Sequence, residues 1–374
     1  MSNNTPDKHF RYMDSARGIA ALMVCVMHFY EHKYIGRPIN DYLSILFNGR
    51  DAVSFFFVLS GFVLSYKHIV LNKPLDIKQF YVSRFFRLWP AFFIILIVDC
   101  VYAFYYNGSL TPHKLSDIFI SNNDGFWEEA YLIKFHNNYY GPGWTLTIEM
   151  CASFLLPFYI LIAKKNKLLI PLLIGIFYVA LDENFYFSIH FLLGILIACY
   201  YTQINVTTFK EKKWFKFRYL IILFAIAIWP IRYYQKLSHF GWTYLYLEDF
   251  LNINAFHYTA ISSAVFLVIM IYNKRVQKFL QNKVLVYMGT LSYAIYLVHP
   301  FCISMIYNML EKNIPTKNPN IVVTSMIIGY MIITVLLAMV LHYGVERPFM
   351  KIGKRVISKM KPSIIIVDPA EEVA

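Results

Sequence analysis

Ten apolar stretches recur along this chain of 374 residues and are separated by short polar loops. A helix needs roughly 20 apolar residues to cross the ~30 Å hydrocarbon core of a bilayer, where backbone polar groups must find their partners within the protein. Only 15% of the residues are charged, fewer than a soluble domain of this length carries. The sequence therefore predicts an all-α integral membrane protein, a polytopic bundle of about ten transmembrane helices. The predicted spans are roughly residues 16–33, 51–70, 88–106, 144–163, 168–181, 187–204, 219–234, 251–272, 285–308 and 321–343.

The distribution of lysine and arginine predicts the orientation of these spans. Basic residues are retained on the cytoplasmic side of short loops. With an even number of spans and a cytoplasmic N-terminus, most of the 35 lysines and arginines fall on the cytoplasmic side, so both termini are expected there. The net charge of +13 is divided among these loops instead of forming one patch, which argues against nucleic acid as a partner.

The chain is expected to form one transmembrane domain over residues 1–352, followed by a cytoplasmic tail over 353–374. This tail is basic at first and is expected to be disordered after Pro362. The first span is not followed by a small-residue cleavage site, so it should remain in the mature protein. The five cysteines lack the spacing of a metal site, and no metal is expected.

The segment MDSARGIAALMVCVMHFYEH, residues 13 to 32, places an arginine and a histidine in the first apolar span. Arg17 and His28 are separated by eleven positions, which returns them to nearly the same helix face about 16 Å apart. A histidine deep in such a span is either a packed structural residue or a functional one. The pattern thus predicts a cation at the cytoplasmic rim and an imidazole further into the membrane.

The segment VSRFFRLWPAF places Arg84 and Arg87 on one helix face at the inner end of the third span. Guanidinium groups bind phosphate oxygens in a bidentate manner. Arginines at this position are also ordinary membrane anchors, and the two interpretations do not exclude one another.

The segment YYGPGWTLTIEM is predicted to begin the fourth span from the outer side, with Trp144 at the interface. Glu149 should then lie in the outer half of the membrane, at a depth similar to that of His28. A carboxylate beside an imidazole raises its basicity and fixes its tautomer, as a general base requires. A purely structural pair is the alternative. Weaker candidates for the same polar region are Asp99, His257 and His299. Ser60 is a further candidate, although it lies beside Gly61 in mid-helix, where small residues normally permit close helix packing.

Six segments resemble those of the membrane acyltransferase family 3 in order and spacing, from about residue 10 to residue 352. They are DSARGIAALMVCVMHF, FFFVLSGFVLSY, RFFRLWPAF, GPGWTLTIEM, LSYAIYLVHP and HYGVERP. The resemblance implies a ten-helix transferase that moves an acyl group, often acetyl, from cytoplasmic acyl-coenzyme A to a sugar hydroxyl of a surface or secreted glycan. Lipopolysaccharide O-antigen, capsule and exopolysaccharide are such glycans, and the acceptor in the bacterial inner membrane would be a glycan or a lipid-linked saccharide.

The resemblance also implies roles for individual residues. His28 would be the catalytic histidine with Arg17 as its motif partner, and Arg84 and Arg87 would contact the phosphates of the coenzyme. Trp144, Thr145 and Glu149 would belong to the active site.

Several alternatives stay open from the sequence. His28 is expected to act as a general base on the acceptor hydroxyl, or as a nucleophile that forms an acyl-imidazole. Some relatives carry a soluble esterase-like domain, so the acyl group is passed either directly to the final acceptor or to a separate periplasmic esterase-like partner. Two rival functions are acylation of a small lipophilic acceptor and secondary transport of an anionic solute.

Overall fold

In the structure, a computed structural model, each of the ten predicted apolar stretches overlaps a described helix. It describes residues 10–31, 47–106, 125–133, 139–180, 187–204, 216–230, 244–310, 319–361 and 365–366. In chain order the helices are α1 (Arg11–Glu31), α2 (Gly49–Ile69), α3 (Ile77–Tyr106), α4 (Phe126–Ala130), α5 (Gly143–Lys165), α6 (Leu169–Ala180), α7 (Phe187–Cys199), α8 (Arg218–Ile228), α9 (Tyr244–Tyr272), α10 (Lys274–Leu280), α11 (Lys283–Leu310), α12 (Pro319–Leu341) and α13 (Arg347–Lys359).

Five of the described helical segments are long and apolar enough to cross a membrane, and six if a bent pair counts as one span. They include α2, α3, α5, α11 and the continuous segment Val323–Lys359. The described helices α6, α7 and α8 are apolar but shorter. The chain is therefore an all-α, multi-pass membrane protein.

The bent pair consists of α9 and α10, which meet at Asn273 at an angle of 94°. The Asn273 side chain accepts hydrogen bonds from the backbone N–H groups of Arg275 and Val276, so it caps the start of α10. The amide of Gln277 donates to the carbonyls of Met270 and Ile271, which lie at the end of α9. Side chains therefore satisfy the backbone groups that the break leaves open.

The chain divides into two compact units. The first contains residues 1–74, 156–292 and 368–374, and the second contains residues 75–155 and 293–367. Two of the divisions fall within α5 and α11, so each of these helices contributes to both units.

In the first unit, α2 and α7 cross at two glycines. A Cβ atom on Gly61 would collide with the backbone of Phe191, and one on Gly194 would collide with the backbone of Val58. Small residues permit this close approach of two helix backbones. The expected packing role of Gly61 is confirmed.

In the second unit, α12 continues through a π-helical turn, His342–Glu346, into α13. The helix passes residue 352 without a break, so the basic start of the expected tail is helical. The second unit also contains two short strands. Strand β1 (Leu75–Asp76), before α3, pairs in antiparallel orientation with β2 (Ile365–Ile366), after α13. The strand β2 falls within the segment that was expected to be disordered, whose remaining residues lie outside the described ranges.

Candidate active site

Arg17 and His28 lie on the same helix, as the sequence predicted, because α1 runs without interruption from Arg11 to Glu31. The helix geometry places them about 16 Å apart along one face. Arg17 interacts with the carboxylate of Asp14, one turn earlier, at 3.4 Å. This contact is long, and the Arg17 side chain is 18% exposed.

His28 is half-buried near the end of α1, where α2 begins. Its imidazole is hydrogen-bonded to the backbone of Val24 and interacts electrostatically with Glu31 and Arg50. The start of α2 approaches α1 closely, because Gly49 lies against the backbone of Val24. The first unit thus surrounds the imidazole with one carboxylate and one guanidinium.

In the second unit, Arg84 holds Glu149. The Nη2 atom of Arg84 donates to Oε1 of Glu149 at 2.5 Å, and Nε donates to the hydroxyl of Ser153 at 2.9 Å. The Arg84 side chain is 8% exposed and the Glu149 side chain 20%. A partly desolvated ion pair of this kind fixes both side chains, because either one alone would be a poorly compensated buried charge.

Three contacts show that α3 and α5 run antiparallel to each other and which parts of the two helices lie side by side. Tyr81 stacks on Phe154, Arg84 contacts Glu149, and further along α3 the ring of Phe92 packs against Tyr140. The turn before α5 therefore lies beside the middle of α3, a helix of 30 residues that is about 45 Å long.

This overlap corrects the depths expected from the sequence. Arg84 was placed at the inner end of its span and Glu149 in the outer half, yet their side chains are in contact. The expectation assumed that α5 begins at the outer surface of the membrane. The two depths cannot both hold, since α5 begins beside Phe92 and not beside the last turn of α3.

Glu129 stabilises the segment that leads into α5. Its buried carboxylate accepts the backbone N–H groups of Tyr139 at 3.0 Å and Tyr140 at 2.7 Å. The Tyr140 hydroxyl donates to the carbonyl of Leu297 on α11, and the indole of Trp89 on α3 donates to the carbonyl of Ala130 at 2.9 Å. These contacts hold the segment along α3 and α11.

Thr145 and His299 come together at Tyr296. The hydroxyls of Thr145 and Tyr296 are 2.8 Å apart, and Nδ1 of His299 donates to the Tyr296 carbonyl at 2.6 Å. That carbonyl lacks its usual helix partner because Pro300, four residues later, has no N–H group. Because the carbonyl can only accept, the proton of the His299 ring lies on Nδ1. His299 is completely buried.

A second buried pair lies in the π-helical turn and was not identified from the sequence. Nδ1 of His342 donates to Oε2 of Glu346 at 2.7 Å, and both residues are buried. Short π-helical segments are frequent at functional sites. The spacing of four residues between His342 and Glu346 in HYGVE was the available signal.

Tyr293 lies within electrostatic range of both buried pairs. Its hydroxyl donates to the carbonyl of Leu88 at 2.5 Å. The charged residues that interact electrostatically with it are Glu149, Glu346, Arg87 and Arg84.

The predicted site residues are thus divided between the two units. Arg17, His28 and the buried Ser60 belong to the first unit, and the remaining predicted residues belong to the second. These are Arg84, Arg87, Trp144, Thr145, Glu149 and His299. The pairing of Glu149 with His28 stays a prediction. Within the described ranges, no three His, Cys, Asp or Glu residues are grouped as metal ligands.

Comparison with known proteins agrees with the sequence motifs. The chain is 26% identical over 185 residues to a peptidoglycan O-acetyltransferase, OatA, of Listeria monocytogenes, covering 44% of this chain and 28% of that protein. It is 32% identical over 124 residues to protein 2 in the picA locus of Rhizobium radiobacter, covering 31% of this chain and 60% of that protein. The chain thus spans less than two thirds of either relative. No solved structure matches it.

A family described as an acyltransferase domain matches residues 10–343, nearly the whole chain. The protein belongs to this family, the membrane acyltransferase family 3.

Proposed function

We propose that the protein transfers an acyl group, most simply acetyl, from acyl-coenzyme A to a hydroxyl of a cell-surface or secreted glycan. The family match over residues 10–343 carries this proposal. The name of the Listeria relative, a peptidoglycan O-acetyltransferase, supports acetyl as the group and a cell-surface polysaccharide as the acceptor. The glycan of this protein is taken to be a lipopolysaccharide O-antigen, a capsule or an exopolysaccharide, reached directly or as a lipid-linked saccharide.

The two arginines of RFFR have different roles in this proposal. Arg84 already donates to Glu149 and Ser153, so its contribution to a phosphate would require breaking a buried ion pair. Arg87 is half-buried one turn further along α3 and is better suited to bind a coenzyme phosphate. Arg17, on the same helix as His28, is proposed as the corresponding phosphate ligand of the first unit.

His28 is proposed to act as the general base. It removes the proton of the acceptor hydroxyl while the oxygen attacks the thioester carbonyl, and the C–S bond then breaks. The proton passes from the imidazole to the departing coenzyme thiolate, so no further reactant is needed. The distance of about 16 Å between Arg17 and His28 supports this arrangement, since it is comparable with the length of an extended pantetheine arm.

The proposed topology has ten transmembrane helices with both termini in the cytoplasm of a bacterium, in its inner membrane. The described helices α6, α7 and α8 are then short spans within the bundle. The donor is consumed at the cytoplasmic face and the product forms on the other side. A separate periplasmic esterase-like protein is the proposed partner where the final acceptor lies beyond the membrane.

The test uses sealed vesicles that contain the purified protein in a known orientation, an acceptor glycan on one side and labelled acetyl-coenzyme A on the other. His28→Ala should abolish transfer without reducing the amount of folded protein, because the imidazole acts in the chemical step. His68→Ala, at the end of α2, is the matched control and should transfer at the wild-type rate. Wild-type turnover by His28→Ala would exclude the proposed base, and equal labelling from both sides would exclude the proposed orientation.

A further inference from the structure

The last helix of the chain is longer than a membrane span requires. Helix α12, the π-helical turn and α13 form one helix from Pro319 to Lys359. At 1.5 Å per residue it extends about 60 Å, roughly twice the thickness of the hydrocarbon core. Its apolar part is α12, so α13 is the part that continues beyond the span.

Helix α13 is strongly amphipathic. Successive residues are rotated by 100°, which collects its basic side chains on one side and its apolar side chains on the other. All basic residues of this side are exposed: Arg347, Lys351, Lys354, Arg355, Lys359 and, just after the helix, Lys361.

The apolar side of α13 is only partly covered. Gly353 packs against the side chain of Phe86 on α3, which fixes α13 along the first half of that helix. Ile352 and Val356 lie at the border of the basic side and remain 41% and 39% exposed. Exposed apolar residues beside basic ones are typical of helices that lie in the headgroup region of a membrane.

The described residues of α13 and of the helix packed against it carry little negative charge. Residues 347–361 include six basic residues and no acidic one. The first acidic residue within α3 is Asp99, and Asp76, which precedes α3, accepts the backbone N–H of Gln79. Glu346, which precedes α13, is hydrogen-bonded to His342. The described part of α13 therefore presents a surface of net positive charge.

From these observations we infer that α13 binds the phosphate groups of anionic phospholipids at the membrane surface next to the last span. The exposed side chains of Lys351, Lys354 and Arg355 contact the phosphates. The continuity of α13 with a membrane span places it where such headgroups are concentrated. This inference does not depend on the proposed acyl transfer.

The test compares two variants of the full-length protein with the same loss of charge. One variant carries Lys351→Gln, Lys354→Gln, Arg355→Gln and Lys359→Gln. The control carries Lys274→Gln, Arg275→Gln, Lys278→Gln and Lys283→Gln, which are exposed residues of the first unit. Native mass spectrometry in detergent measures binding of added phosphatidylglycerol and phosphatidylcholine.

The α13 variant should lose at least tenfold in affinity for phosphatidylglycerol, since each surface basic residue contributes about fivefold. The control should bind it like the wild type, and phosphatidylcholine binding should not change. Equal phosphatidylglycerol affinity in the two variants would overturn the inference. Coenzyme A also carries phosphate groups, so its binding to both variants is measured by calorimetry. If the α13 variant loses coenzyme A binding but keeps phosphatidylglycerol binding, this surface binds the donor and the inference is overturned.

A second measurement uses the wild-type protein, so its result does not depend on whether the variants fold. Phosphatidylglycerol with a photoreactive headgroup, added to the native protein, should label the peptide that contains residues 347–361. An excess of unmodified phosphatidylglycerol should suppress this labelling. Labelling that is confined to other peptides would also overturn the inference.

Discussion

Arg84 donates to Glu149 at 2.5 Å, and this contact joins α3 to α5 in the second unit. The finding separates the two arginines of RFFR. Arg84 is buried and has two side-chain partners, whereas Arg87 is half-buried and shares the surroundings of Tyr293. Arginines that were equivalent in the sequence are therefore expected to differ in their effects.

Replacement of Arg84 with Gln should destabilise the protein. The change leaves the Glu149 carboxylate in a partly buried place without its cation, which typically costs about 3–5 kcal/mol. The double variant Arg84→Gln with Glu149→Gln should recover part of this loss, because neither charge is then left alone. Chemical denaturation in detergent measures the free energy of unfolding. If the losses in the free energy of unfolding of Arg84→Gln and of Glu149→Gln add up to the loss of the double variant, the two side chains are not energetically coupled.

Replacement of Arg87 with Gln should instead weaken donor binding. Loss of one charge-assisted contact to phosphate costs about 1.5–3 kcal/mol, so the KM for acetyl-coenzyme A should rise roughly 10- to 100-fold. The kcat at saturating donor should change much less, since the contact is made in the ground state and the transition state alike. Steady-state rates over a range of donor concentrations give both quantities. An unchanged KM would leave Arg87 as a membrane anchor.

The close crossing of α2 and α7 predicts that alanine destabilises the protein at Gly194, which lies in the crossing, and not at Gly175, which lies outside it. Gly194→Ala should destabilise the first unit by at least 1–3 kcal/mol, because a methyl group there meets the backbone of Val58. Gly175→Ala on α6 is the control, since no atom lies within 4 Å of the added methyl group. It should be neutral or stabilise the helix by about 0.5–1 kcal/mol. Thermal unfolding of both variants tests the crossing, and equal behaviour would contradict it.

The sequence was sufficient for the ten apolar helices and for the face shared by Arg17 and His28. Both depend on local properties: the length of an apolar run and the rotation of 100° per residue. It was not sufficient for the height at which α5 begins relative to α3. That height is set by long-range hydrogen bonds of Glu129 and Tyr140, residues whose partners no helical period identifies. A rule that placed every span end at the membrane surface therefore gave Arg84 and Glu149 different depths, although their side chains are in contact.

The hydrogen bonds of Glu129 give a direct test of that segment. Glu129→Gln keeps one acceptor oxygen but turns the other into an amide donor, which faces the N–H group of Tyr139 or Tyr140. The loss should be about 1.5–3 kcal/mol in the free energy of unfolding. Glu128→Gln, an exposed neighbour on α4, should have little effect. Similar losses in the two variants would show that the buried carboxylate does not hold the turn.

The π-helical pair predicts that the hydrogen bond of His342 matters more than its basicity. In His342→Asn the amide nitrogen lies close to the former position of Nδ1 and can still donate to Glu346. In His342→Leu the Glu346 carboxylate remains buried without this donor, at a cost of about 1–3 kcal/mol. Tyr343→Phe, at an exposed neighbouring position, is the control. Chemical denaturation in detergent measures the free energy of unfolding of the three variants, and equal values for Asn and Leu would mean that the hydrogen bond to Glu346 has no role.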